Sequence, residues 1–209
     1  MKSTLKGGLL IVAAFITPIA ARAGAETFDQ MRPGAPPADW TCGVTGSGSP
    51  KWAVAADASA PSPPNVLKQS GSGTFPWCVK KNASITDGFV EVQFKPIDGQ
   101  EDQAGGVVWR WKDDDNYYVA RANVLENNVS LYHTEGGQRI TIQYVDAPVQ
   151  SRQWHRLRVE FSGKHIKVIL DGKSYIDVED AHIAGAGAVG VWTKADSVTE
   201  FDNFSFGGQ

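Results

Sequence analysis

The chain has 209 residues, 42% of them hydrophobic and 21% charged, with a formal net charge of −3. This balance suits a folded globular protein and excludes a strongly basic surface for nucleic acid or an anionic membrane. Two cysteines and four histidines are too few for a disulfide-dense scaffold, and no Cys/His spacing of a metal motif occurs.

At the N-terminus, Lys2 and Lys6 precede an apolar run at 9–21, and Ala21-Arg22-Ala23 and Ala23-Gly24-Ala25 both suit cleavage. The run is short for a bilayer span. Residues 1–25 are therefore read as a secretory signal and 26–209 as a single domain, periplasmic or secreted, with no membrane insertion after cleavage. The leader removes three cations (Lys2, Lys6 and Arg22) and no acid, so the mature net charge is −6. Nucleic acid is not expected as a partner, and the protein is expected to be a monomer. Cys42 and Cys78 are predicted to pair as a disulfide, because exported compartments are oxidising.

Residues 26–73 are rich in Pro, Gly, Ser and Ala and are expected to form an irregular arm laid over the rest, with extended pieces at Trp52–Ala56 and 66–69. Beyond them, strand-like runs recur at 89–96, 104–111, 117–124, 129–133, 139–145, 154–161, 165–170, 173–178, 188–192 and 199–206. Val90, Val92 and Phe94 alternate with Glu91, Gln93 and Lys95. Asp171-Gly172 between two such runs is a strong hairpin signal. No helical period is sustained. The fold class is all-β, and faces that divide into apolar and polar favour a sandwich over a barrel.

Arg110 alternates with Trp109 and Trp111, which predicts that it faces away from the core. Arg121 lies on the next strand. With Glu91, Gln93 and Asn123 these arginines are expected on one polar face that holds a sugar or another polyhydroxylated ligand, supported by Tyr118. The competing reading is an ordinary wet face of an antiparallel sheet. A second cluster is the loop after Trp192, where Lys194 and Asp196 flank an aromatic platform. Asp113-Asp114-Asp115-Asn116 reads as a solvated hairpin tip, and Asp202 as a weak candidate ligand for a structural calcium. No metal and no other cofactor is expected. No nucleophile elbow is present.

The ordered set Gly105-Gly106-Val107-Val108-Trp109-Arg110-Trp111, Asn116-Tyr117-Tyr118-Val119-Ala120-Arg121-Ala122-Asn123, Trp154-His155-Arg156-Leu157-Arg158-Val159 and Gly187-Ala188-Val189-Gly190-Val191-Trp192 resembles bacterial exported domains of the concanavalin A-like lectin/glucanase superfamily. The nearest group is the 3-keto-disaccharide hydrolase-like, glycoside-hydrolase-family-16-like set. The resemblance covers nearly all of the mature chain and implies a two-sheet jelly-roll β-sandwich with a carbohydrate or glycoside ligand on the concave sheet. It also implies a hydrolase of 3-keto-disaccharides or other glycosides. The alternatives are a non-catalytic glycan-binding module and a laminin-G-like adhesion domain. Family 16 glucanases carry E-x-D-x-E; here the matching stretch is Glu91-Val92-Gln93-Phe94-Lys95, which lacks both later acids. If the chain is an enzyme, Glu91 or Asp196 is the expected acid/base, with Arg110 and Arg121 positioning the substrate.

Overall fold

Alternating apolar and polar residues give fourteen strands among residues 25–208, the part of the chain that the computed structural model describes. Residues 1–24, which hold almost all of the expected leader, and Gln209 lie outside the described residues. The strands are β1 Trp40–Ser49, β2 Trp52–Ala56, β3 Asn65–Gln69, β4 Ser72–Lys80, β5 Gly88–Asp98, β6 Ala104–Asp113 and β7 Asn116–Asn123. They continue with β8 Asn128–Glu135, β9 Gln138–Asp146, β10 His155–Ser162, β11 His165–Leu170, β12 Lys173–Glu179, β13 Ala188–Trp192 and β14 Val198–Gly208.

All strand pairs are antiparallel, in two seven-stranded sheets. Sheet I runs β1-β4-β13-β6-β7-β8-β9 and sheet II runs β12-β11-β10-β5-β14-β3-β2. This is the jelly-roll sandwich that the resemblance implied. The stretch expected as an irregular arm instead supplies β1–β3 and the first two residues of β4, which build edges of both sheets; its two extended pieces are β2 and β3. Small residues and prolines there mark the turns between short strands, and the pairing partners lie too far along the chain to be read locally.

The core lies between the sheets. Val107, Trp109, Tyr118, Ala120, Leu131 and Val191 of sheet I pack on Val90, Val92, Phe94, Leu157, Phe161 and Phe201 of sheet II. Trp109 is fully buried, stacked on Tyr118 at 5.2 Å and Phe161 at 5.8 Å between ring centroids. Gly105 sits where β6 meets Phe94: a Cβ there would lie 2.3 Å from that ring, so only glycine lets the sheets close at this point. Asp171 and Gly172 both have positive φ, 50° and 81°, the primed turn that joins β11 and β12 tightly. Cys42 and Cys78 face each other across β1 and β4 and form the expected disulfide.

Two bulges decide which side chains leave the core. Trp109 and Arg110 together oppose Val189 of β13, and Arg110 has a φ of 46°. The extra residue reverses the alternation, so Trp109 and Arg110 both turn inward while Trp111 turns outward. In β9, Ile142 is the additional residue, because Leu131 pairs with Gln143 and Tyr132 with Thr141. Arg139, which would otherwise share a face with Val145, is thereby placed beside Tyr144 on the outer side.

Candidate ligand-binding face

The outer face of sheet I carries a second apolar cluster, separate from the core: Trp77, Val79, Val108, Tyr117, Val119, Tyr132 and Trp192, with Phe75 and Trp111 against it. Next to these rings lies an ionic network centred on Arg121, which is 1% exposed. Its NH1 donates to Asp102 Oδ2 at 2.7 Å and its NH2 to Glu126 Oε2 at 2.7 Å. Asp102, fully buried, also accepts from Lys194 Nζ at 2.8 Å and from Asn123 Nδ2 at 3.0 Å. Glu126 Oε2 takes a further bond from Asn128 Nδ2 at 2.8 Å, and Asn128 reaches the Tyr144 hydroxyl at 2.5 Å.

Arg139 stands over Tyr132 at 4.2 Å and Phe75 at 4.7 Å from the ring centroids, a cation–π arrangement. It also lies near Trp192, which stacks on Phe75 at 5.7 Å. Phe75, Arg139, Lys194, Glu101 and Thr74 line a cavity of about 410 Å³. The buried donors on this face without a partner include Arg121 Nε, Arg139 NH1 and the Nε1 atoms of Trp77, Trp111 and Trp192. Buried donors left bare are costly, so a cluster of them marks a place where a ligand's oxygens belong.

Three cations (Arg121, Arg139 and Lys194) meet the carboxylates of Asp102 and Glu126, and Glu101 lines the same cavity. Burial alone would raise the Glu126 pKa. The Asn128 hydrogen bond and the charges of Arg121, Lys194 and Arg139 outweigh it and hold the carboxyl below its usual range. Among the described residues nothing bonds Glu126 Oε1, which leaves one ionised oxygen free beside the cations.

The residues singled out from the sequence divide into four groups. Arg121 and Asn123, expected on the polar face, and Trp192 and Lys194, expected in a second cluster, lie together on this face. Asp196 lies behind it: its carboxylate accepts the backbone N–H groups of Gln100 at 2.8 Å and of Glu101 and Asp102 at 3.0 Å each. Burial would raise its pKa, but these three bonds lower it. Asp196 is thus a clamp that sets the loop carrying Asp102.

Glu91 and Gln93 are on the outer face of sheet II, on the far side of the core. Glu91 pairs with Arg158 at 3.5 Å, and Gln93 Oε1 accepts from Asn203 Nδ2 at 2.6 Å. Arg110 and Tyr118 face inward. Arg110 donates to the carbonyls of Thr86 at 3.2 Å, Ile183 at 3.0 Å and Gly163 at 2.7 Å, and pairs with Asp87 at 3.2 Å. Tyr118 donates to Asp180 and accepts from the Ile183 N–H at 3.1 Å. The single shared face expected for Glu91, Gln93, Arg110, Arg121 and Asn123 is therefore not formed, since the β6 bulge turns Arg110 away and β5 belongs to the other sheet. Arg139, Asp102, Glu126 and Tyr144 were not singled out. The glutamate and the aspartate sit in connections, and Arg139 reaches the face only through a bulge that strict alternation does not reveal.

A sequence model described as the 3-keto-alpha-glucoside-1,2-lyase-like domain matches residues 33–206. No curated protein matches the chain by sequence. Among solved structures, the carbohydrate binding module CBM66 from Bacillus subtilis superposes with a TM-score of 0.66 at 22% identity, covering 79% of this chain and 93% of that one. The Bacillus licheniformis beta-glucanase gives 0.59 at 10% identity, covering 90% and 99%. The exoplasmic/lumenal domain of VIP36, in its Ca2+/Man3GlcNAc-bound form, gives 0.57 at 13% identity, covering 80% and 83%. At these identities the superpositions establish the shared fold.

Proposed function

The chain belongs to the 3-keto-alpha-glucoside-1,2-lyase-like domain family, and we propose that the outer face of sheet I is where it holds a carbohydrate. The observation that carries this reading is the set of bare buried donors, Arg121 Nε, Arg139 NH1 and Trp192 Nε1, grouped beside aromatic rings. Sugars present hydroxyl rims for such donors and apolar C–H faces for such rings. We further propose that the protein is exported, with residues 1–25 as its leader. The disulfide fits an oxidising compartment, and no helix among the described residues is long and apolar enough to cross a membrane.

For a 3-keto glucoside, the ketone acidifies the C2–H bond, and the face offers what an elimination across C1 and C2 needs. Glu126 Oε1 takes the C2 proton, and the C–H pair shifts to give an enolate with its charge on the C3 oxygen. Arg139 and Lys194 stabilise that oxygen. Collapse of the enolate forms the C1–C2 double bond and expels the C1 substituent, whose oxygen takes back the proton. A family 16 type of hydrolysis is not supported, because Glu91 and Gln93 are remote from this face.

The second reading is a non-catalytic glycan-binding module. In its favour, Asp102 and Glu126 are both tied to cations, so neither is poised as a proton donor. The test is to give the mature protein a 3-keto-α-glucoside and the matching unoxidised glucoside, following binding by calorimetry and release of the aglycone together. Release that falls ~10²–10⁴-fold in Glu126→Gln with binding retained supports elimination. Binding without release supports the module. In either case Arg139→Ala weakens binding by about tenfold or more. Failure of both sugars to bind, or indifference to Arg139→Ala, overturns the site.

A further inference from the structure

His133, Asp180 and His182 meet at one end of the sandwich, on the inner side of sheet I and away from the sugar face. Each offers a ligand atom, and these atoms lie within 4.8 Å of one another. His133 projects from β8 and is only 2% exposed, yet neither of its ring nitrogens has a hydrogen-bond partner. An imidazole buried with both nitrogens bare is a costly arrangement in a protein with no use for it. The ring lies against that of His182, with centroids 4.0 Å apart.

Asp180 is held as an oriented ligand would be. Its Oδ1 accepts from the Tyr118 hydroxyl and from the His182 N–H at 3.1 Å, while Oδ2 faces His182 Nδ1 at 2.8 Å. Outer bonds of this kind fix a ligating carboxylate. His182 is in the β12–β13 connection with its side chain 55% exposed, which gives a path of entry and a solvent-facing coordination position.

We infer that His133, Asp180 and His182 form a binding site for a divalent transition-metal ion of the zinc type, with a fourth position open to water. Two imidazoles and one carboxylate suit zinc, cobalt, nickel or copper rather than calcium or magnesium, which take all-oxygen sets. The metal brings the ligand atoms closer than 4.8 Å and turns the exposed His182 ring out of its stack. It joins β8 of sheet I to the connection leaving β12 of sheet II, so binding braces the two sheets against each other. The sites are distinct, because Tyr118 supports this one from the inner side of β7 while Arg121 serves the other from the outer side.

The experiment uses untagged mature protein stripped with a chelator, titrated with zinc chloride by calorimetry and scanned for thermal stability. The expected result is one zinc per chain and a raised Tm, with calcium chloride giving neither. Cobalt substitution is expected to give the intense visible bands of a four-coordinate site. His182→Ala, at an exposed position that leaves the fold intact, reduces zinc affinity by at least about 100-fold, and Tyr118→Phe reduces it by ~10- to 100-fold through the loosened carboxylate. Absence of stoichiometric zinc binding in the wild type overturns the inference. So does equal binding by wild type and His182→Ala, or an equal response to calcium. Loss of sugar binding in Arg139→Ala leaves this outcome untouched, so the two sites fail independently.

Discussion

Arg121 gives two of its nitrogens to carboxylates and keeps the third bare, and that division separates its structural role from its proposed ligand-binding role. A buried polar group of the opposite kind is Asp202 of β14. It is fully buried and lies near Asp29 and Asp57. Burial, reinforced by those two charges, outweighs the N–H bonds from Ser62 and Asn203 and pushes its pKa up to about 6. The folded state therefore binds this proton more tightly than the unfolded chain, where the value is 3.8. The favourable contribution is complete below about pH 4 and is lost as pH rises through 6. Urea titrations of wild type and Asp202→Asn at pH 4, 5, 6 and 7 should show the wild type losing on the order of 2–3 kcal/mol relative to the variant across that range. Parallel curves would refute the raised value. Asp202 stood out in the sequence only as a weak candidate calcium ligand, with no sign of its burial beside Asp29 and Asp57; the His133–His182 pair was not legible, because the histidines are far apart along the chain and only the packing of β8 against a distant connection joins them.

At the scale of elements, the strands were legible and the bulges were not. Period-two patterning and turn residues located most of β5–β14, because burial of one face imposes that period. A bulge adds one residue with no compositional mark, and two bulges here exchange the roles of two arginines. Arg110, read as facing outward, is turned in by the β6 bulge to tie together Thr86, Gly163 and Ile183; Arg139 is turned out by the bulge in β9. Arg110→Ala should accordingly destabilise the fold by about 3–5 kcal/mol, since it strands several buried carbonyls and Asp87. Sugar affinity measured on the folded fraction should be unchanged. Arg110→Lys should rescue little, because an ammonium lacks the planar fork that reaches three carbonyls at once. Weakened sugar binding without a stability loss would reverse this assignment.

The molecule as a whole is held by long-range pairing. The disulfide expected from composition and compartment joins residues 36 apart, and by loop entropy it stabilises the fold by ~4 kcal/mol, an upper-end figure. Guanidinium unfolding of the Cys42→Ala/Cys78→Ala double variant should show a loss up to that size, and an unchanged midpoint would mean that the unfolded chain is not constrained by the link. The family resemblance identified the sandwich correctly. What local patterning missed was the placement of β1–β4, whose partners β13 and β14 lie more than a hundred residues on.

The position of β14 has a consequence for how the chain matures. This final strand is not an edge but the middle of sheet II, seated between β5 and β3. β2 and β3 pair with each other, and β14 alone joins that hairpin to β5, so sheet II closes along this seam only once residues 198–208 are seated.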